Sequence, residues 1–154
     1  MVLWRISIFS DLLGIGGELG KGRWHTPAEG RRIVYLAEHP ALALLETLVN
    51  LKERPEDSAE QYQLLRVEAA DSIPIERIAE QSLPADWREK PAMTQALGNA
   101  WLEQKEKALL AVPSVPSPES TNYLLNPLHS DAATVTVAWS RWIRYDKRLF
   151  RLNE

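Results

Sequence analysis

The chain has 154 residues, 45% of them hydrophobic and 25% charged, with a net charge of −3. That composition predicts one soluble globular domain with a proper core, and the negative balance argues against direct nucleic-acid binding. The lack of cysteine excludes disulfides, thiolate catalysis and cysteine–zinc sites.

Residues 3–9 alternate as a first strand, with Trp4, Ile6 and Ile8 on one face and Arg5 and Ser7 on the other. Arg5 sits among core residues, so it reads either as a surface cation or as a half-buried one that needs an anion. The stretch GIGGELGKGRWHTP follows, from Gly14 to Pro27, with five glycines in nine residues and then Arg23 and Trp24. Its spacing fits neither the P-loop nor the dinucleotide fingerprint. The glycines therefore read as a mobile connection or as a loop that lets a ligand approach closely. Arg23 just beyond them suggests a clamp for phosphate or carboxylate.

Residues 33–37 (IVYLA) predict a second strand. On it, Tyr35 is either a core aromatic or a ring that stacks on a flat ligand while its hydroxyl finds a polar partner. Pro40 opens a helix at a position that tolerates proline, and apolar residues at 41, 44, 45, 48, 49 and 51 give it a broad buried face. Glu46 lies about 40° beyond the edge of that apolar arc. That is the place of a solvent-facing boundary carboxylate, or of one that faces a cleft beside the core.

Residues 52–60 form a charged loop and 63–69 a third strand. The proline-bearing segment 71–94 reads as a connection with at most a short helix at 75–80. Residues 94–107 predict a helix with Thr94 as its cap. Residues 109–112 form a short strand running into Pro113 and Ser114, and 113–121 a loop rich in proline and serine. Residues 123–126, 134–139 and 142–145 are further strand candidates. Short strands interleaved irregularly with two main helices predict an α+β fold.

His25, His39 and His129 show no metal-ligand spacing. Ser114 has no nucleophile-elbow context. WSRWIRYDKR, residues 139–148, mixes aromatic and basic side chains but fits a sheet edge better than a nucleic-acid contact. Six tryptophans point to core packing or an interface. No apolar run reaches the ~18 residues that cross a bilayer, and the N-terminus reads as a strand rather than a signal peptide, which fits a cytoplasmic protein.

In order along the chain, WRIS, the glycine loop ending in GRWHTP, VYLAEHPALALLE, LLAVPSVPSPESTNYLLNP and the Leu128–His129 pair resemble a RES-domain protein. Such proteins are the toxin half of bacterial Xre–RES toxin–antitoxin pairs. The resemblance covers nearly all of residues 1–154 as a single domain. One departure is the segment AEGRR between Arg23 and Tyr35, which is longer than in the family. The resemblance implies an ADP-ribosyltransferase-like fold, a short-stranded β-sheet core flanked by helices. It implies destruction of cellular NAD by phosphorolysis or hydrolysis of the nicotinamide–ribose bond. Glu46, Tyr35 and Arg23 would carry the chemistry, and Arg5, Arg23, Tyr35 and Ser114 would bind the ligand. No cofactor is implied beyond NAD as substrate, with inorganic phosphate as co-substrate for phosphorolysis. The implied partners are an Xre-type helix-turn-helix antitoxin that blocks the cleft and a second copy of the chain in a homodimer.

Two alternatives stand beside this reading. One is a transferase that attaches ADP-ribose to protein; it would use a second glutamate shortly before Glu46, where this chain has Ala43, Leu44 and Leu45. The other is a non-enzymatic binding module.

Overall fold

The computed structural model describes residues 1–51 and 61–150. The described residues build one seven-stranded sheet: β1 (Val2–Ile6), β2 (Val34–Ala37), β3 (Gln61–Ala69), β4 (Ile75–Arg77), β5 (Leu109–Pro113), β6 (Thr121–Leu125) and β7 (Val135–Arg144). Their spatial order is β4-β5-β6-β2-β1-β3-β7. Neighbours are antiparallel except β4 and β5, which run parallel. Three α-helices accompany the sheet among the described residues: α1 (Gly16–Leu19), α2 (Pro40–Val49) and α3 (Pro91–Gln104). The fold is α+β, and no helix among the described residues is long and apolar enough to cross a membrane.

The central strands are buried on both faces. Successive side chains of a strand point to opposite faces. Accordingly Leu109 and Leu125 join a cluster with Leu3, Val34, Leu65 and Val67, while Leu110 and Leu124 join one with Trp24, Trp87 and Trp101. A strand buried on both sides reads as a continuous apolar run, which is how LLAV appears in the sequence. A third, smaller cluster joins Ala37 to Leu42 and Ala43 of α2, with Trp4 and Ile6 packed against it.

Several boundaries differ from those expected. Residues 75–77 form strand β4 beside β5, not a helix; Ile78 continues the contact by donating its N–H to the Ala111 carbonyl at 2.9 Å. Three residues are too few to show a period of 2, so the strand was invisible in the pattern. The helix expected from Thr94 begins at Pro91, which holds a first-turn position that needs no N–H. The two strands expected at 134–139 and 142–145 are one strand, β7. Its pairing with β3 slips between Arg66, opposite Trp139, and Val67, opposite Val137. That bulge at Ala138 lies inside the first expected strand; the apparent break came from the polar pair Ser140 and Arg141, which pair regularly with Leu65 and Leu64. On α2 the buried residues are Leu42 and Ala43; of the face expected at 41, 44, 45, 48, 49 and 51, Leu44, Leu45 and Leu48 are half-buried and Ala41, Val49 and Leu51 are exposed. The charged loop expected at 52–60 lies outside the described residues.

Candidate active site

Strands β1 and β2 meet at a single register pair, Trp4 with Ala37. Beyond it the two strands part. Arg5 and Ile6 on one side and Tyr35 and Leu36 on the other line a cleft of about 380 Å³. Helix α2 forms another wall through Ala43, Glu46, Thr47 and Asn50. Those positions follow the i, i+3, i+4, i+7 spacing of one helical face. Glu46 is thus a cleft-facing carboxylate. Its helix is set by Pro40 in the first turn and by His39, whose Nδ1 accepts the Ala41 N–H at 3.1 Å.

Glu46 is held from behind. Ser114 Oγ donates to Glu46 Oε1 at 2.8 Å, and Asn122 Nδ2 donates to the same oxygen at 2.5 Å. Ser114 is 1% exposed and Asn122 9%. Among the described residues no donor takes Oε2. Ser114 follows β5 in a loop whose own polar groups pair: Ser117 N–H donates to Ser114 Oγ at 3.2 Å, and the Ser117 and Ser120 hydroxyls lie 2.8 Å apart. The structure therefore places Ser114 beneath the carboxylate, not on the cleft wall.

Arg23 lines the cleft at the end of the glycine loop. Its Nη2 donates to the Trp87 carbonyl at 2.6 Å, and its guanidinium lies 5.4 Å from the centre of the Trp87 ring. Its buried Nε has no protein partner among the described residues. Burial lowers its pKa from the usual arginine value, against which Glu89 and Glu46 pull upward. Arg5 donates from Nη1 to the Asp11 carbonyl at 2.6 Å, and burial brings its pKa down to about 10, so it stays cationic at neutral pH. Each guanidinium has five N–H donors, and these bonds use only part of that capacity.

Tyr35 ties the loop to the sheet. Its hydroxyl accepts the Trp24 N–H at 3.1 Å and lies 2.8 Å from His25 Nδ1. His25 Nε2 lies 2.8 Å from the Gly20 carbonyl, which can only accept. Nε2 therefore carries the proton, and Nδ1 accepts from the Tyr35 hydroxyl. Burial raises the Tyr35 pKa, which keeps that proton in place. The loop is fastened rather than loose. It contains α1, and Arg32 bonds Glu18 across it at 2.6 Å. Gly22 is required by contact: a Cβ there would lie 2.3 Å from the Tyr35 hydroxyl oxygen. The AEGRR segment folds into a turn, with Arg31 N–H donating to the Ala28 carbonyl at 3.0 Å and Arg31 Nη1 to the Thr26 carbonyl at 2.6 Å.

The family model for the RES domain matches residues 2–147. The chain belongs to the RES-domain family. It is similar to the Pseudomonas putida protein "Toxin Res", with 41% identity over 153 residues, which is 97% of this chain and 100% of that one. It is also similar to a Sphingobium protein named "Prs ADP-ribosylating toxin", with 36% identity over 158 residues and 96% of each chain covered. Among solved structures, the Mycobacterium tuberculosis MbcT–MbcA toxin–antitoxin complex shares the fold, with a TM-score of 0.73 at 16% identity over 92% of this chain and 83% of that one.

Within this RES domain, Arg5, Arg23, Tyr35 and Glu46 come together on one cleft, and Ser114 reaches it through Glu46. Sequence reasoning missed Asn122, Trp87 and the part His25 takes in anchoring the loop. Asn122 had one visible signal, a polar residue inside an apolar strand. The remaining histidine, His129, accepts the Asp131 N–H at 3.1 Å and so caps a turn. Asn126 is buried, and its Oδ1 accepts the Leu128 N–H at 3.1 Å.

Proposed function

We propose that this RES-domain chain is a toxin that cleaves the nicotinamide–ribose bond of NAD. The observation that carries the proposal is Glu46, fixed by a buried hydroxyl on the wall of a cleft that also holds two guanidinium groups. Arg23 and Arg5 supply the cations that a pyrophosphate needs, with donors left to form forked bonds. Tyr35 presents its ring to the cleft while its hydroxyl is engaged, so the ring is a fixed surface for the nicotinamide. Ser114, already bonded to Glu46, serves the ligand by holding that carboxylate.

The chemistry asks little else of the protein. The bond between ribose C1′ and the nicotinamide nitrogen breaks, and its electron pair goes to the ring. Nicotinamide leaves neutral, so no general acid is required. The positive charge that develops at C1′ and the ring oxygen is stabilised by the Glu46 carboxylate, which also accepts from the ribose 2′-hydroxyl. An oxygen of water or inorganic phosphate then bonds C1′, and the proton lost from a water goes to solvent. The toxin acts in the cytoplasm, where its substrate is. Its partners are a second copy of the chain and an Xre-type antitoxin that covers the cleft; for an antitoxin partner as such, support comes from the toxin–antitoxin complex that shares the fold.

The name of the Sphingobium relative favours a second reading, in which ADP-ribose passes to a protein. Ala43 stands on the cleft-facing side of α2 ahead of Glu46, and no glutamate occupies 43–45. That favours a small acceptor. Purified chain mixed with NAD and phosphate, followed by mass spectrometry, separates the cases. Free ADP-ribose means hydrolysis, and phosphorylated ADP-ribose means phosphorolysis. Added mass on a protein means transfer. Intact NAD with folded protein would sink the proposal.

A further inference from the structure

We propose that Asn122 is a positioning residue that aims the Glu46 carboxylate; this rests on Glu46 being the carboxylate of the proposed reaction. Asn122 lies on β6, which is paired on both sides. Its Cα is opposite Ala37 of β2 and Val112 of β5. A residue locked between two strands has far less freedom than Glu46, which projects from α2 and is only half-buried. Asn122 is therefore the anchor and Glu46 the group that is held.

The orientation of the amide follows from chemistry. An ionised carboxylate only accepts, so the amide must turn Nδ2 toward it. Ser114 and Asn122 both select Oε1. Two donors on one oxygen, one from the loop after β5 and one from β6, fix the plane of the carboxylate and leave Oε2 for the substrate. The two donors are not equivalent. The Ser114 hydroxyl rotates and also accepts from the Ser117 N–H. The Asn122 amide is planar, cannot ionise and has no alternative role among the described residues. Asn122 also lines the cleft, whereas Ser114 does not. The charged and titratable groups that face Glu46 from the other walls are Arg23 from the glycine loop, Tyr35 from β2 and Arg5 from β1. None of them is altered by a change at 122.

The test compares Asn122→Leu and Asn122→Asp with the wild type in NAD consumption across pH. Asn122→Leu removes the donor at similar volume. Its kcat is expected to fall by about 10- to 100-fold with KM for NAD changed by less than about threefold, the pattern of a lost transition-state interaction. Asn122→Asp keeps the shape but sets a second carboxylate against Glu46, and the pair must share a proton. The acid limb of its kcat profile is expected to move to higher pH by about one unit or more. That limb moves only if residue 122 touches the Glu46 carboxylate in solution, and the fall in kcat at constant KM in Asn122→Leu separates aiming from support of the fold. If the leucine variant does not melt cooperatively, Asn122→Ser, smaller and still polar, is read in its place for the same fall in kcat at constant KM. An active wild type with an unmoved acid limb in Asn122→Asp, or with kcat of a folded Asn122→Leu within about twofold, overturns the role of Asn122. A wild type that releases no nicotinamide overturns the reading of Glu46 instead.

Discussion

Replacing Gly98 by alanine drives a wedge between α3 and the loop that carries Arg23. A Cβ at position 98 would lie 1.7 Å from the Trp24 carbonyl oxygen and 2.8 Å from its carbonyl carbon. An ordinary carbon–oxygen contact is about 3.3 Å, so helix and loop must separate by about 1.5 Å to admit the methyl group. The obstacle is backbone, which cannot turn aside as a side-chain tip can. Four hydrogen bonds lace the two elements together: Thr94 Oγ1 to the Arg23 carbonyl at 2.7 Å, Gln95 Nε2 to the Gly22 carbonyl at 3.0 Å, Thr26 N–H to Asn99 Oδ1 at 3.1 Å and Asn99 Nδ2 to Thr26 Oγ1 at 2.9 Å. A separation of that size stretches all of them beyond bonding distance. At about 1 kcal/mol each their loss costs about 4 kcal/mol. Alanine returns about 1 kcal/mol through its better helix propensity. The net destabilisation expected is about 3 kcal/mol, read from the shift of the urea midpoint at constant slope. Because Arg23 moves with the loop, KM for NAD should rise as well. A Gly98→Ala protein less than about 1 kcal/mol weaker than the wild type would show that helix and loop are not held by this contact.

Three further outcomes follow from the same geometry. Glu46→Gln keeps the volume and can still accept from Ser114, so stability should change by less than about 1 kcal/mol while kcat for NAD cleavage falls by about 10²- to 10³-fold; turnover within tenfold of wild type refutes the role of the carboxylate. Tyr35→Phe strips the hydroxyl from the Trp24 N–H and from His25 Nδ1. It should cost about 1–3 kcal/mol by leaving buried polar groups unpaired, and an unchanged melting temperature would argue that the loop is fastened elsewhere. Burial holds the His25 pKa below its ordinary value, so the folded state favours the neutral ring. Its contribution is complete above the unfolded pKa of about 6.5 and is lost as the pH falls from there through the lower folded value. The stability of wild type should therefore drop more steeply than that of His25→Asn between pH 7 and 5, and parallel curves would remove His25 from the account.

Much of this molecule was legible before its structure. Residues 34–37 carry β-branched and aromatic side chains, and Pro40 marks a helix start, so β2 and α2 were both visible. The ordered motifs identified the RES family, because they are spread along nearly the whole chain. The weaker readings failed for definable reasons. Strand β4 is too short to have a period. The polar pair Ser140 and Arg141, which the sheet simply continues through opposite Leu65 and Leu64, divided β7 into two apparent strands. Helix α2 has leucine or alanine on most of its surface, so its sequence does not declare which side is buried.

By itself the sequence determined the α+β class, the family, and the set Arg5, Arg23, Tyr35, Glu46 and Ser114 as the residues to examine. These follow from local propensity and from the order of motifs, both of which are written along one dimension. The tertiary structure alone decided that Glu46 faces inward, that Ser114 stands behind it, and that Asn122, separated from Glu46 by 76 positions, shares its oxygen. It also decided that the glycines serve contact: Gly22 clears the Tyr35 hydroxyl and Gly98 clears the Trp24 carbonyl. Each of these depends on which elements lie side by side. That is set by the packing of the sheet, where strands β1 and β2 part after one pair and so make room for a cleft.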